Sequence, residues 1–302
     1  MTNSPKVKLS HRIEAFAARA ILALFRALPP ATASNLAGRV AGAIGPLIPV
    51  SNVADRNLRM AIPEMSNAER RVTIRQVWEN LGRTVAELPH MGELHETESG
   101  PGFRISGWEH VEAALQGGGP SLFLTGHFGN WEILPLACYA RGMDLAFLYR
   151  AAGNPLVDDM IQQMRNTNIG RKVTMFAKGG AGARGAYAHL TRKGHLAMLI
   201  DQKLNNGIAV PFFGQSAMTA PALASFALRF RCPIFPVHVV REGPARLHVI
   251  FEAPLILPDS GNKEADVLTV MTAANQILER WIRGVPGAWL WLHNRWPKPP
   301  KI

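Results

Sequence analysis

The chain has 302 residues, enough for one large α/β domain or two small ones, and its 47% hydrophobic content can fill a sizeable core, which excludes a disordered protein. Its 33 basic and 22 acidic residues give a formal net charge of +11, so we expect anionic partners such as acidic lipid or an acidic carrier protein. No zinc-finger spacing, RNA-binding aromatic motif or long Lys/Arg tract is present, which disfavours nucleic acid. Cys138 and Cys232 lack CxxC partners and are predicted to be buried thiols.

An amphipathic helix is predicted near the N-terminus. Apolar residues recur at helical spacing from Ile13 to Leu28, and Arg12, Arg19 and Arg26 fall between them. These arginines exclude a membrane-spanning helix, which needs about 20 apolar residues, and they interrupt the apolar core of a signal peptide starting at Lys6. We expect a helix that lies on an anionic membrane surface. The alternative is a helix that packs on the core and exposes a charged face.

Two further helical segments precede residue 100. Residues 27–52 are rich in Pro, Gly and Ala, which predicts short helical pieces and a connector. Ser66 and Glu69 form a capping-box pattern that is followed by apolar residues at helical spacing, so we predict a helix from about Glu69 to Met91. We assign residues 1–50 to an N-terminal membrane-associating helical segment and residues 51–302 to one continuous domain.

Short apolar runs alternate with helical stretches after residue 100. Strands are predicted at 121–125, 145–149, 173–176, 196–200, 233–240 and 247–251, and helices at 131–140, 155–168, 186–192, 220–230 and 264–282. This alternation predicts an α/β fold with a largely parallel central sheet flanked by helices, plus an N-terminal helical layer. Ligands of such sheets bind beyond the carboxyl ends of the strands, where we expect His127, Arg150 and Asp201.

The segment TGHFGNWE (125–132) follows the first of these strands and contains His127 and Glu132. A five-residue spacing puts two side chains on different faces of a helix or strand, so they can meet only across a turn. A histidine can remove a proton from an attacking hydroxyl, a nearby carboxylate can fix its tautomer, and amides at Gly126 and Gly129 are candidate oxyanion donors. The spacing alone also fits a buried structural hydrogen bond.

Other catalytic motifs are absent or incomplete. GAGARG places Gly180, Gly182 and Gly185 in a G-x-G-x-x-G pattern, but only Asp201 loosely matches the required acid, so we predict a small-residue turn and no cofactor. The sequence contains no G-x-S-x-G, HExxH or Walker motif. We therefore predict neither a metal site nor a side-chain nucleophile.

Several ordered segments resemble one known family. GHFGNWE resembles the His-x4-acid block of the lysophospholipid acyltransferase superfamily, in the form used by the late (lauroyl/myristoyl) acyltransferases of lipid A biosynthesis. Further similar blocks are RNLRMAIPE (56–64), YRAAGNP (149–155), DQ (201–202), VPFFGQSAMT (210–219) and PGAWLWLHNRW (286–296). The similarity spans roughly residues 50 to 297, so we expect residues 51–302 to be an acyltransferase domain.

The resemblance implies that His127 is a general base and Glu132 its orienting partner, in O-acyl transfer without a covalent intermediate. It implies substrate-binding roles for Arg150, Asn154, Asp201, Phe212 and Phe213. From the residues alone, Arg150 could instead pair with an acid, Asp201 could cap a turn, and the phenylalanines could belong to the core.

The family acts on a glycolipid acceptor with an acyl-carrier-protein thioester as donor. We therefore expect these two partners and an anionic membrane surface, no nucleic acid, and a peripheral or monotopic location at the cytoplasmic face of the bacterial inner membrane. The predicted acceptor is a hydroxyl of a lipid A precursor. Alternatives are another glycolipid or a lysophospholipid as acceptor, or a lipid-binding protein without activity. The tryptophans near the C-terminus suit either a membrane interface or a packed cap.

Overall fold

The computed structural model describes residues 7–297; Lys6 and Lys298 lie outside this range. Four helices form the N-terminal layer: α1 (Leu9–Arg26), α2 (Pro30–Ile44), α3 (Ser51–Ala61) and α4 (Asn67–Glu87). The predicted capping box starts α4, since the Ser66 hydroxyl accepts a hydrogen bond from the Glu69 amide and the Glu69 carboxylate accepts one from the Ser66 amide. The helix ends earlier than predicted, and Leu88–Glu93 continues as a 3₁₀ helix.

The prediction of short helical pieces and a connector over residues 27–52 is confirmed for residues 45–50, where a 3₁₀ turn and a connector lead to α3. It is wrong for residues 30–44, because α2 is a continuous helix of 15 residues. Pro30 occupies its first turn, where proline needs no backbone donor. Gly38 faces α4 so closely that a Cβ atom there would lie 2.7 Å from Arg83 Cγ, and a Cβ on Gly82 of α4 would lie 2.5 Å from Ala41 Cβ. The small residues therefore permit close helix packing and do not interrupt the helix.

A seven-stranded sheet forms the centre of the chain, in the order β1-β9-β8-β2-β5-β3-β4. Its strands are β1 (Gly102–Ser106), β2 (Ser121–Thr125), β3 (Leu145–Tyr149), β4 (Met175–Ala177), β5 (His195–Leu199), β8 (Ile234–Gly243) and β9 (Arg246–Phe251). All neighbours pair in parallel except β8 and β9. The predicted α/β class with a largely parallel sheet is confirmed, although β1 was not predicted.

The remaining helices flank this sheet. They are α5 (Trp108–Gln116), α6 (Leu134–Ala140), α7 (Pro155–Ile169), α8 (Gly180–Thr191), α9 (Ala222–Phe230) and α10 (Lys263–Gly284). The glycines of GAGARG lie in the first turns of α8, so the prediction of a small-residue turn is wrong. Gly182 must be a glycine, because a Cβ atom there would lie 1.7 Å from the Ala177 carbonyl oxygen. The glycines allow the helix to start directly against β4.

The core occupies both faces of the sheet. Every residue of β2 is buried, as expected for a central parallel strand. Leu122 and Leu124 belong to the core cluster that includes α9 and α10, whereas Phe123 belongs to the opposite cluster with α5 and α6. Successive side chains thus point to opposite faces.

A separate hairpin, β6 (Ile208–Phe212) and β7 (Gln215–Thr219), escaped prediction. Both turn residues, Phe213 and Gly214, have positive φ angles, of 52° and 69°. A phenylalanine is unusual in this conformation, and no Asn-Gly or Asp-Gly signal announces the turn. The Phe213 amide donates to Glu279 Oε1 at 2.6 Å, which holds the turn against α10.

The C-terminal tryptophans form a packed cap. Trp289, Trp291 and Trp296 are buried, and Phe212 lies 5.3 Å from Trp296 in a stacked arrangement. The interpretation of these tryptophans as a membrane interface is wrong, because none of the three reaches the surface.

The helix α1 turns its apolar side outward. Ile13, Phe16 and Leu24 are exposed, while Ala15 is buried. The alternative of a core-packing helix with a charged outer face is therefore wrong. Within residues 7–297, no helix combines the length and hydrophobicity needed to span a membrane.

Candidate active site

A cavity of about 300 Å³ opens at the carboxyl ends of β2, β3, β4 and β5. Its apolar lining residues include Pro135, Phe147, Met175, Met198 and Ile200. Its polar and charged lining residues are His127, Glu132, Arg150, Arg165, Lys178 and Gln202. His127, Arg150 and Asp201 follow the ends of β2, β3 and β5, as predicted, and His127 and Glu132 line one cavity.

The imidazole of His127 is held by Asp201 and not by Glu132. His127 Nδ1 lies 2.9 Å from Asp201 Oδ1, and the His127 amide donates to Asp201 Oδ2 at 2.6 Å. Trp289 Nε1 also donates to Oδ2, at 2.8 Å. Because a carboxylate only accepts, Nδ1 carries the proton and Nε2 is the free base. Nε2 lies 3.4 Å from the amide nitrogen of Gln202, at the cavity.

Burial and charge act in opposite directions on this pair. Burial by itself lowers the pKa of His127, but the charge and hydrogen bond of Asp201, together with the charge of Glu132, raise that pKa above its ordinary value of 6.5. Burial by itself raises the pKa of Asp201, but the contacts with His127 hold that pKa below its ordinary value. Asp201 is thus a carboxylate that stabilises the imidazolium form of its neighbour.

The loop after His127 is fixed at Gly129. Its φ angle is +59°, and a Cβ atom would lie 1.9 Å from the Val239 carbonyl oxygen, so only glycine fits. The Gly129 amide donates to the Ala288 carbonyl at 2.9 Å, and its carbonyl accepts from Asn80 at 2.8 Å. The proposed oxyanion role of this amide is therefore wrong, since the amide is already used.

Asn130 connects the loop to the helical layer. Its side-chain carbonyl accepts from the Glu132 amide at 3.1 Å, and its side-chain amide donates to Glu87 Oε2 at 2.6 Å. Glu87 is fully buried and also accepts from Ser34 Oγ at 2.6 Å, while Arg241 compensates its charge. These contacts fix the turn between His127 and Glu132.

Glu132 forms a two-pronged ion pair with Arg165 of α7. Arg165 Nε lies 2.8 Å from Oε2, and Nη2 lies 2.7 Å from Oε1. Trp131 Nε1 donates to Oε1 at 3.1 Å. Burial by itself lowers the pKa of Arg165, but the charge of Glu132 outweighs it and raises that pKa, so the cavity wall keeps a cation.

Arg150 and Lys178 lie at the cavity, where β3 and β4 end. Both are exposed, and within residues 7–297 neither forms an ion pair with a carboxylate. Burial, and then the nearby charge of Arg150, lower the pKa of Lys178. Two neighbouring cations without a carboxylate provide a surface for an anion.

Four of the five predicted binding residues do not line the cavity. Asp201 is fully buried behind His127, so its predicted role in substrate binding is wrong. The other three lie elsewhere. Asn154 is buried at the start of α7, where its side chain accepts from the Leu156 amide at 3.0 Å and donates to Glu14 Oε2 and to the His11 carbonyl of α1, both at 2.9 Å. Phe212 and Phe213 are buried in the aromatic cap and do not line the cavity. These contacts give the three residues packing functions.

The sequence of the chain matches a family model. The family model described as bacterial lipid A biosynthesis acyltransferase matches residues 1–298. The chain belongs to this family. It is 22% identical over 239 residues to the lipid A biosynthesis myristoyltransferase of Escherichia coli (strain K12), a match that covers 78% of this chain and 72% of that protein. The lipid A biosynthesis acyltransferase 1 of Shigella flexneri is also 22% identical over 239 residues, with the same coverage of both chains.

Membership in the lipid A biosynthesis acyltransferase family makes the protein an acyltransferase. The cavity suits this chemistry, because an apolar wall and a histidine with a free Nε2 meet in one space. No group of three metal-ligating side chains is present in residues 7–297.

Sequence reasoning missed Arg165, Lys178 and Gln202 as residues of this site. The sequence did contain a signal for Arg165. This residue lies on one face of the predicted helix 155–168 and its continuation, together with Ile161, Met164, Asn168 and Ile169. A charged residue on an inward helix face needs a partner, which here is Glu132. Lys178 had no comparable signal, because lysines in Gly-rich loops are ordinarily solvent-exposed.

Proposed function

We propose that this acyltransferase moves a fatty acyl chain from an acyl-carrier-protein thioester to a hydroxyl of a lipid A precursor. The observation that carries the proposal is the His127–Asp201 pair, with His127 lining a cavity that contains both apolar and cationic side chains. A buried carboxylate behind the imidazole is the arrangement that a general base requires. The names of the two relatives support the acceptor class.

In this mechanism, Nε2 removes the proton of the acceptor hydroxyl as its oxygen attacks the thioester carbonyl. The C–S bond then breaks, and the imidazolium returns the proton to the leaving thiolate. Asp201 stabilises the intermediate imidazolium, and the side-chain amide of Gln202, beside Nε2, is the candidate donor to the developing oxyanion. The apolar wall accepts the acyl chain. No covalent acyl-enzyme is required.

Glu132 acts through two effects. It orients Arg165 at the cavity wall, and its own charge adds to that of Asp201 in raising the pKa of His127. We propose that Arg165, together with Arg150 and Lys178, neutralises phosphate groups of the substrates.

The partners and the location follow from the same proposal. Acyl carrier protein is acidic and the acceptor is an anionic glycolipid, which agrees with a net charge of +11. The donor is a cytoplasmic protein and the acceptor a lipid, so we propose a peripheral location at the cytoplasmic face of the inner membrane.

The decisive experiment incubates the purified protein with acyl carrier protein loaded with a fatty acyl chain and with a lipid A precursor. Mass spectrometry should show the mass increase of one ester-linked acyl chain on the precursor. Parallel reactions contain a lysophospholipid or a mannosylated phosphatidylinositol as acceptor. If the protein acylates one of these lipids in place of the precursor, that lipid becomes the assigned acceptor. If the thioester is only hydrolysed, or if no acyl chain is transferred in any of the reactions, the proposal is contradicted.

Substitution of Arg150 or Lys178, the two cations that follow β3 and β4, is expected to change KM more than kcat. For Arg150→Gln and Lys178→Gln, we expect KM for a phosphorylated acceptor to rise about tenfold each, since a charge-assisted contact contributes about 1.5–3 kcal/mol and solvent weakens it. The fall in kcat should be smaller. Steady-state kinetics at low and moderate salt measure both constants. The matched control is Lys172→Gln, at the opposite end of β4, and an equal rise in KM for this variant would contradict a local anion site.

A further inference from the structure

The exposed apolar side chains concentrate in one part of the molecule. Of the 16 large apolar side chains that are exposed among the described residues, 11 lie between Val7 and Ile48. Monomeric soluble proteins rarely expose large contiguous apolar patches, and those that do use them to bind a protein or a membrane. Neither the acyl transfer chemistry nor the packing of α1 and α2 explains this distribution.

The helix α1 presents a narrow apolar stripe. Leu9, Ile13, Phe16 and Leu24 lie within about 80° of one another on a helix of about 3.6 residues per turn, and they are 74%, 62%, 75% and 61% exposed. The opposite side of α1 is firmly held: the Asn154 amide donates to the His11 carbonyl at 2.9 Å. The outward direction of the stripe is therefore fixed by the fold.

The helix α2 and the residues after it add a second apolar face. Leu36, Val40 and Ile44 recur every four residues and are exposed, and Leu47, which follows, is 83% exposed. The inner side of α2 packs on α4 through Ala37 and Gly38, and α1 packs on α7 and on residues 88–93, which directly follow α4. The exposed apolar side chains of both helices thus lie on the sides that face away from these packing partners.

The charges of this region favour an anionic partner. Residues 7–50 contain five basic residues and one acid, Glu14, whose carboxylate accepts from Asn154. Arg12 and Arg19 are exposed beside the apolar stripe of α1, and Arg39 is exposed on α2. Basic residues along the border of an apolar face are typical of helices that lie in the headgroup region of anionic membranes.

We propose that the exposed apolar faces of α1 and α2, together with residues 47–48, form a docking surface for an anionic bilayer leaflet, which we call the N-terminal docking surface. The apolar side chains enter the acyl region and the arginines contact the headgroup phosphates. Both helices contribute, so docking does not depend on α1 alone.

The position of α1 relates this surface to the cavity. The first turns of α1 contact Asn154, which follows the loop that carries Arg150 at the cavity. Docking through α1 therefore brings the cavity close to the plane in which a lipid acceptor lies. This step rests on the proposed function, whereas the docking surface itself does not.

The test is sedimentation of the full chain with vesicles of phosphatidylethanolamine and phosphatidylglycerol. The variant pairs Ile13→Asp with Phe16→Asp, and Leu36→Asp with Val40→Asp, should each reduce partitioning at least tenfold, because a charge replaces a membrane-buried apolar group. The matched control is Ile256→Asp with Leu268→Asp, which replaces apolar side chains that are 96% and 43% exposed outside the surface. The control should bind like the unchanged protein. Circular dichroism establishes that all variants are folded.

The charge part of the proposal has its own readout. Vesicles of phosphatidylcholine should bind the protein less than anionic vesicles do, and Arg12→Gln with Arg19→Gln should make binding to anionic vesicles less dependent on salt. Unchanged vesicle binding by both apolar variant pairs would overturn the proposal. So would a dimer, seen without vesicles, that the same substitutions convert to a monomer, because the faces would then bind a second copy.

Activity measurements separate this proposal from the proposed function. With acceptor dispersed in detergent, both apolar variant pairs should transfer acyl chains at the rate of the unchanged protein, and with acceptor in vesicles they should lose at least tenfold. Absence of transfer by the unchanged protein in detergent would contradict the proposed function but leave the vesicle-binding result valid.

Discussion

His127→Gln and His127→Ala are both expected to reduce kcat for acyl transfer by about 10²- to 10⁴-fold, the usual contribution of a general base. The reason is that Nε2 of His127 is the basic atom that the Asp201 contact leaves free at the cavity. Glutamine can still donate a hydrogen bond to Asp201, whereas alanine leaves that buried carboxylate with the His127 amide and Trp289 as donors. The two variants should therefore share the loss of rate but differ in stability.

Initial rates with saturating donor and acceptor measure the loss of kcat, and thermal unfolding measures the loss of stability. We expect His127→Ala to lose about 1–3 kcal/mol of unfolding free energy, the cost of an unsatisfied buried acceptor, and His127→Gln to lose less. A suitable control is His95→Gln, which changes a histidine that does not line the cavity. Transfer by His127→Gln at a rate near that of the unchanged protein would rule out the general-base mechanism.

The sequence predicts the sheet well where local patterns are strong. The runs SLFLT and LAFLY coincide with β2 and β3, because strands buried on both faces need continuous apolar sequence. The pattern fails where tertiary contacts decide the structure. Gly38 and Gly42 suggest breaks, yet they lie inside α2, where the side chains of Arg83 and Glu79 occupy the space that a Cβ would need.

In the site, too, local patterns predict some features and tertiary contacts decide the others. The position of His127 after a strand follows from the apolar run before it, and the resemblance to the acyltransferases singles it out. Its carboxylate partner does not follow, because Asp201 is 74 residues away and reaches His127 only through the pairing of β2 with β5. Glu132, close in sequence, instead meets Arg165, 33 residues later on α7. Local sequence patterns therefore place Asp201 and Glu132 at the site, but they do not show which side chain each carboxylate contacts.

The pH dependence of kcat/KM can decide which carboxylate acts directly on His127. The base must be neutral to accept a proton, so activity rises with pH through the pKa of His127, which Asp201 and, to a smaller extent, Glu132 raise. In Asp201→Asn the carboxylate charge is gone while a side chain of similar size remains. The pKa of His127 should fall, and the acidic limb of the profile should move to lower pH.

The maximal rate should fall in the same variant. The imidazolium that forms during transfer loses its buried counter-charge, and an amide can either donate to or accept from Nδ1, so the tautomer with a free Nε2 is no longer enforced. We expect a loss of about 10²-fold or more, within the range of general-base catalysis. The exposed acid Asp144 supplies the control Asp144→Asn, which should leave both the rate and the acidic limb unchanged.

Glu132→Gln should give a different profile. The acidic limb should move less than in Asp201→Asn, because Glu132 acts on His127 by its charge at a distance and not by a hydrogen bond. Its main effect should be on KM, since Arg165 loses its two-pronged partner and its orientation at the cavity wall. Arg165→Gln should raise KM at least as much, because it also removes the cation that we propose for phosphate binding. The double variant should be no worse than Arg165→Gln, because both changes remove the contact between Glu132 and Arg165. A larger displacement of the acidic limb for Glu132→Gln than for Asp201→Asn would assign the orienting role to Glu132.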